Sequence, residues 1–170
     1  TSATEAYLKE PDNQDNKKAL TIKNTVEYLN TAFQKDYQNF AVDWDTQNYT
    51  EISLADQMVY VFRKGKVAYS CKCISGLPVE GRSTPTGAYF IKEHNTHRVL
   101  KGDNYETPVD NWVRITWSGT GFHSAPWQRW SSWTKNYYKV RGSHGCLNLE
   151  PSVSKQIYDM VQYREAVFIH

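Results

Sequence analysis

The sequence predicts a mainly β domain with peripheral helices. Short runs of β-branched and aromatic residues, separated by Gly, Pro and charged breaks, recur from about residue 52 to the C-terminus. Aromatic residues make up 14% of the chain, with 12 Tyr and 6 Trp, which suits strands and aromatic-lined clefts. Helical spacing of apolar residues is clear in two stretches, each outside the main run of strands.

The first such stretch runs from Lys17 to Phe40. Ile22, Val26, Leu29, Phe33, Tyr37 and Phe40 recur at intervals of three and four, one face of an amphipathic helix. It packs on the main domain or ends a preceding one. Asp43 to Glu51 is polar without a period and reads as a connection. Met58 to Phe62 and Val67 to Ile74 are β-forming runs, and Gly65 in the polar break between them signals a hairpin. Ser83-Thr84-Pro85-Thr86-Gly87 punctuates the chain before a strand at Ala88 to Ile91. Trp112 to Trp117 alternates as a strand and ends at Ser118-Gly119-Thr120-Gly121. Pro151 opens a second helix, where its missing N–H costs nothing, with Val153, Ile157, Met160 and Val161 as the buried stripe. Ala166 to Ile169 closes the chain as a final strand.

Composition narrows the classes of function. A chain of 170 residues can bury a true core, and 39% hydrophobic with 22% charged residues is ordinary for a globular protein. The net charge of +2 and the absence of a basic run argue against a nucleic-acid partner. No stretch approaches the apolar length that spans a bilayer. Residues 1–20 lack the regions of a signal peptide and read as a polar leader, so an export signal is expected outside this chain. The three cysteines are no disulfide framework. Cys71 and Cys73, two apart on a strand, point to one face, a poor geometry for a bond between them, and are expected as small core residues.

Chemistry concentrates in two short segments, Gly121-Phe122-His123-Ser124-Ala125-Pro126-Trp127 and Gly142-Ser143-His144-Gly145-Cys146-Leu147-Asn148. A thiol is a weak nucleophile until it loses its proton, so a reactive Cys146 needs a base beside it. Histidine titrates near neutrality and is the usual choice. His144 and His123 are both available, while His94, His97 and His170 are expected to be structural. Gly145 lets the backbone bend beside Cys146, and the amides of Gly145 and Cys146 are candidates for an oxyanion hole, worth on the order of 3 kcal/mol per donor. His123, His144 and Cys146 are also a chemically possible three-ligand zinc set, without a metal-binding frame to support it. The reading from residues alone therefore leaves a cysteine acyltransferase, a zinc-dependent hydrolase and a non-catalytic module that uses its aromatics on glycan in play.

These two segments, with Ser83 to Ile91 and the hairpin from Val59 to Gly76, resemble the L,D-transpeptidase catalytic domain of the YkuD-type family, in the same order along residues 52–170. The resemblance implies a β-sandwich-like fold, with residues 1–51 as leader and helix. It implies that Cys146 is the nucleophile, His123 the general base, and the Ser124 carbonyl the group that orients the imidazole. His144 would support the thiolate, and Gly145 with Cys146 would form the oxyanion hole. Ser143, Asn148, Trp127 and Tyr105 would shape the loop or contact substrate. The implied reaction takes a peptidoglycan tetrapeptide stem, releases D-alanine through a Cys146 thioester, and passes the acyl group to a second stem as a 3→3 cross-link. No metal or other cofactor is implied, carbapenem-type β-lactams are implied as covalent inhibitors, and the location is extracytoplasmic, at the cell wall or envelope. The stretch Gln128 to Val140 departs from the pattern. Trp127, Trp130 and Trp133, three apart, suggest helix packing there, with an aromatic substrate wall as the alternative.

Overall fold

The computed structural model describes Asp45 and residues 47–170. The helix expected over residues 17–40 and the polar leader lie outside the described residues. Within them, β1 (Tyr49–Ser53), β2 (Met58–Arg63), β3 (Lys66–Lys72), β4 (Gly87–Phe90) and β9 (Ala166–Ile169) form one sheet in the order β3-β2-β1-β9-β4. β5 (Glu93–Gly102), β6 (Tyr105–Arg114), β7 (Gly121–Ser124) and β8 (Leu147–Leu149) form a second in the order β5-β6-β7-β8. Two helices accompany them, the single turn α1 (Tyr138–Arg141) and α2 (Pro151–Met160).

The core lies between the sheets. Alternation along the strands turns Ile52, Val59, Val61, Val167 and Ile169 of the first sheet toward Val113, Phe122, Leu147 and Leu149 of the second. The β2–β3 hairpin expected at Gly65 is present. Lys64 at φ +53° and Gly65 at φ +73° give two successive left-handed residues, the backbone that matches strand twist. Cys71 and Cys73 are free, buried core thiols. Burial pushes the Cys71 thiol up to about 12 and Cys73 well above its ordinary value, so both are inert packing groups.

Three boundaries differ from the sequence reading. The polar connection through Glu51 already contains β1, which starts at Tyr49 and is buried along its whole length. Its neighbours supply what its composition does not advertise: β1 is central, antiparallel to β2 and parallel to β9, with Tyr49 stacked on Phe62 at 4.5 Å. The long β5–β6 hairpin spans residues that carry no apolar alternation, because most of β5 is exposed. The strand expected at Trp112 to Trp117 is the end of β6, which stops at Arg114.

The second helix begins at Pro151, as the sequence predicts. Ile157 is fully buried, Val161 nearly so, and Val153 and Met160 pack partly buried against the same core. The helix lies against β6 and β7, and Asn111 Nδ2 donates to Ser154 Oγ at 2.9 Å across that contact. His94 stacks on Tyr158 at 3.9 Å and hydrogen-bonds its carbonyl, a structural role as expected. Truncating Ile157 leaves a cavity under the strand that carries His123. Ile157→Ala is expected to lower the unfolding free energy by about 2–5 kcal/mol, read from denaturant midpoints at unchanged m-value.

Candidate active site

Parallel pairing of β7 with β8 brings the two chemical segments together. Phe122 stands beside Leu147, and His123 beside Asn148. Phe122, Leu147 and Leu149 enter the core, so alternation turns His123 and Asn148 to the other face. Continued by one residue, the same register sets Cys146 opposite Gly121, on the face that carries His123. Gly121 is required there, because a β-carbon would fall 2.3 Å from the Val113 carbonyl and 2.9 Å from the Trp112 ring.

His123 is buried, and its Nδ1 donates to the Ser124 carbonyl at 2.9 Å. A carbonyl only accepts, so the proton sits on Nδ1 and Nε2 keeps a lone pair. Burial lowers the imidazole pKa below 6.5, and the bond to Ser124 opposes that shift. The ring is therefore neutral at neutral pH. Cys146 is half-buried, with its Sγ 3.6 Å from the Gly119 carbonyl. Burial pushes its thiol up to about 11, against the Gly121 backbone and the Arg114 guanidinium, which favour the thiolate. The resting pair is a thiol and an imidazole, not an ion pair.

The loop before Cys146 is tied down at several points. Gly145 adopts φ +130°, a conformation that disfavours a side chain although nothing lies closer than 3.8 Å to a β-carbon there. Ser143 Oγ donates to the Cys146 carbonyl at 2.5 Å and accepts the Gly145 N–H at 3.0 Å. Thr84 Oγ1 donates to the Gly145 carbonyl at 2.7 Å and accepts the Gly76 N–H at 2.8 Å. Arg82 donates to the Gly142 and Ser143 carbonyls at 3.0 and 3.3 Å. Of the two amides expected at an oxyanion hole, that of Gly145 is thus engaged by Ser143 in this structure.

A cleft of about 570 Å³ opens over these groups, lined by His123, Cys146, Asn148, Trp127, Ser143 and His144. The distal part of the β5–β6 hairpin adds Leu100, Tyr105 and Thr107, and the tyrosine ring lies 5.4 Å from the exposed His144 ring. The charged side chains of the lining are Arg82 and Arg141, and no Asp or Glu is among them. Asn148 is buried, and its Oδ1 has no hydrogen-bond partner among the described residues. Trp127 is half exposed and packs 5.8 Å from His123.

The helix expected for the tryptophan repeat is absent. Trp130 to Ser132 makes a 3-10 turn, Trp130 Nε1 donates to the Ala125 carbonyl and Trp133 Nε1 to the Cys73 carbonyl, at 2.9 and 2.8 Å. These two indoles anchor the segment, and Trp127 alone of the three lines the cleft. Sequence reasoning also missed Arg82, Thr84 and Trp112, whose contacts bridge distant parts of the chain and leave no local pattern. Among the described residues, no group of three or more His, Cys, Asp or Glu side chains is arranged to hold a metal ion.

The chain belongs to the L,D-transpeptidase catalytic domain family, whose model matches residues 47–169. It is 31% identical over 119 residues to L,D-transpeptidase 1 of Mycobacterium tuberculosis (strain ATCC 25618 / H37Rv), covering 64% of this chain and 45% of that protein. Among solved structures, an Enterococcus faecium L,D-transpeptidase mutant matches at 35% identity and a TM-score of 0.67, over 73% of this chain and 50% of the other. The catalytic domain from E. faecium L,D-transpeptidase acylated by ertapenem matches at 34% identity and a TM-score of 0.60, over 73% of this chain and 97% of the other. The chain spans less than half the length of the mycobacterial relative.

The buried thiol and lowered imidazole set the pH behaviour. Alkylation of Cys146 by iodoacetamide is expected to slow as the pH falls below 6.5, where His123 takes a proton and can no longer accept one from the thiol, and to rise toward pH 11 as the thiol ionises. In His123→Ala the same reaction is expected to be slow at pH 7 and to climb toward pH 11, where the thiol ionises unaided. Both profiles are read by intact mass against time.

Proposed function

We propose that this domain is a peptidoglycan L,D-transpeptidase working through a Cys146 thioester, with His123 as general base. The observation that carries the reading is the neutral imidazole, its Nδ1 committed to the Ser124 carbonyl, lining the same cleft as Cys146. Membership of the family and an ertapenem-acylated relative support it. The location that follows from such a substrate is extracytoplasmic. Among the described residues, no helix is long and apolar enough to cross a membrane.

The donor stem lies in the cleft with its third-residue carbonyl over Cys146. His123 Nε2 takes the thiol proton as sulfur bonds to the carbonyl carbon. The developing oxyanion is met by the Cys146 amide, and by Gly145 only if the Ser143 hydroxyl releases it. The C–N bond breaks, the imidazolium returns its proton to the departing D-alanine amine, and a thioester remains. A side-chain amine of a second stem attacks the thioester and yields its proton to His123. Expulsion of sulfur, which regains that proton, leaves a 3→3 amide cross-link. His144 and Tyr105 line the same cleft as the thiol, their rings 5.4 Å apart, and Ser143 holds its loop. Asn148, Trp127 and Tyr105 contact the stem, and the unmet Asn148 Oδ1 suits an amide N–H of substrate. Arg82 and Arg141, without a carboxylate in the lining, favour a donor that carries carboxylates. Carbapenem-type β-lactams are strained acyl donors and enter as inhibitors at the same sulfur.

With defined tetrapeptide stems, mass spectrometry is expected to show loss of D-alanine and a cross-linked dimer. A carbapenem is expected to add its full mass to the protein but not to Cys146→Ala. An adduct of equal extent on that variant would remove the nucleophile assignment. His123→Ala is expected to slow acylation by at least about 100-fold, while His97→Ala, an exposed pair with Asp110, leaves it unchanged.

A further inference from the structure

Glu93, at the start of β5, is a meeting point of two hydrogen-bond donors and a further guanidinium outside the cleft. Its Oε2 accepts Trp112 Nε1–H at 2.8 Å and Arg98 Nη1 at 2.9 Å, and Arg114 Nε lies 3.4 Å away. The Glu93 side chain is 25% exposed, so isolated ion pairing at this position contributes little to stability. What the carboxylate fixes is an indole. Trp112 is fully buried, and its N–H without this acceptor would be an unpaired donor, at a cost of about 1–3 kcal/mol. The two guanidiniums hold the carboxylate in turn.

The same indole stands beside the imidazole of His123, ring centroids 6.2 Å apart and planes tilted by 32°. His123 has a second aromatic neighbour in Trp127, but that ring is half exposed. Trp112 is therefore the wall that cannot yield. Among the described residues the imidazole itself is held by one hydrogen bond, from Nδ1 to Ser124. A half-turn about its Cβ–Cγ bond would put Cδ2 where Nδ1 stands and Cε1 where Nε2 stands, which breaks the bond to Ser124 and spoils the base. Space beside the ring decides whether that rotation is open.

We propose that Glu93 is a positioning residue for His123: by fixing the Trp112 indole, it holds the imidazole in the single orientation in which Nδ1 donates to Ser124 and Nε2 stays unprotonated. The inference rests on the reading of His123 as the general base. It names a residue outside the cleft lining, in a strand whose composition gives no hint of function. Glu93→Gln keeps an oxygen for the Trp112 N–H, whereas Glu93→Leu removes it.

The test combines two readouts on Glu93→Leu, Glu93→Gln and His123→Ala. Imidazole nitrogen NMR reports the His123 tautomer, and stopped-flow acylation by a carbapenem separates initial binding from the bond-forming step. In Glu93→Leu the tautomer mixture is expected to spread over both nitrogens. The bond-forming rate should drop about tenfold, at unchanged initial binding. Glu93→Gln is expected to keep the wild-type tautomer and a rate within about twofold. If Glu93→Leu fails to fold, Trp112→Phe, which leaves the carboxylate and both arginines in place, carries the same expectation as that variant. A wild-type tautomer and rate in Glu93→Leu, with His123→Ala inert, would overturn the proposal while leaving the base assignment standing. Equal losses in the Leu and Gln variants would also overturn it, by assigning the effect to charge and not to the indole. Wild-type acylation in His123→Ala would bring down the base assignment and this proposal together.

Discussion

The pairing of two short parallel strands is the constraint on which this site depends. β7 and β8 share three register positions, and those positions decide which side chains meet. Period-two alternation leaves little freedom once Phe122, Leu147 and Leu149 are committed to the core. A slip of one residue would drive His123 and Asn148 into apolar packing and turn leucines into the cleft. The hydrophobic core thus sets the register, and the register sets the chemistry.

Backbone bonds to distant segments complete what the register begins. The loop before Cys146 is held by Thr84 and Arg82, some sixty positions away in the chain, and by the hydroxyl of Ser143 within it. Such a loop is pre-organised, and little is left to order when a substrate arrives. Burial has a second consequence, since it keeps both the thiol and the imidazole uncharged. A neutral pair avoids the large cost of desolvating an ion pair in the resting protein.

Aromatic side chains divide between two tasks that composition does not distinguish. Trp130 and Trp133 spend their N–H groups on carbonyls of other segments and tie down a stretch with little helix of its own. Trp112 does the same with Glu93 behind the imidazole, and Trp127 presents an open face to the cleft. An indole is suited to both, being a large apolar body with one donor at its edge. Which task each performs follows from whether an acceptor lies within reach.

Much of this was legible in the sequence. β-Forming runs between turn residues gave the mainly β class, the Lys64-Gly65 hairpin and the last strand, because these depend on local pattern. The Pro151 helix was equally plain from its spacing and its proline. That His123 and Cys146 share one cleft was also expected from the two short segments that carry them. β1 was hidden because a central strand can be buried by its neighbours whatever its own polarity, and the exposed β5 had no apolar period to betray it. The tryptophan repeat misled, since three-residue spacing serves a folded-back segment as well as a helix. Only the tertiary structure decided that Gly145 donates into its own loop, that Arg82 and Thr84 hold the segment before Cys146, and that Glu93 stands behind Trp112. Those are contacts between parts of the chain far apart in sequence, fixed by packing, and packing is written in no local stretch of residues.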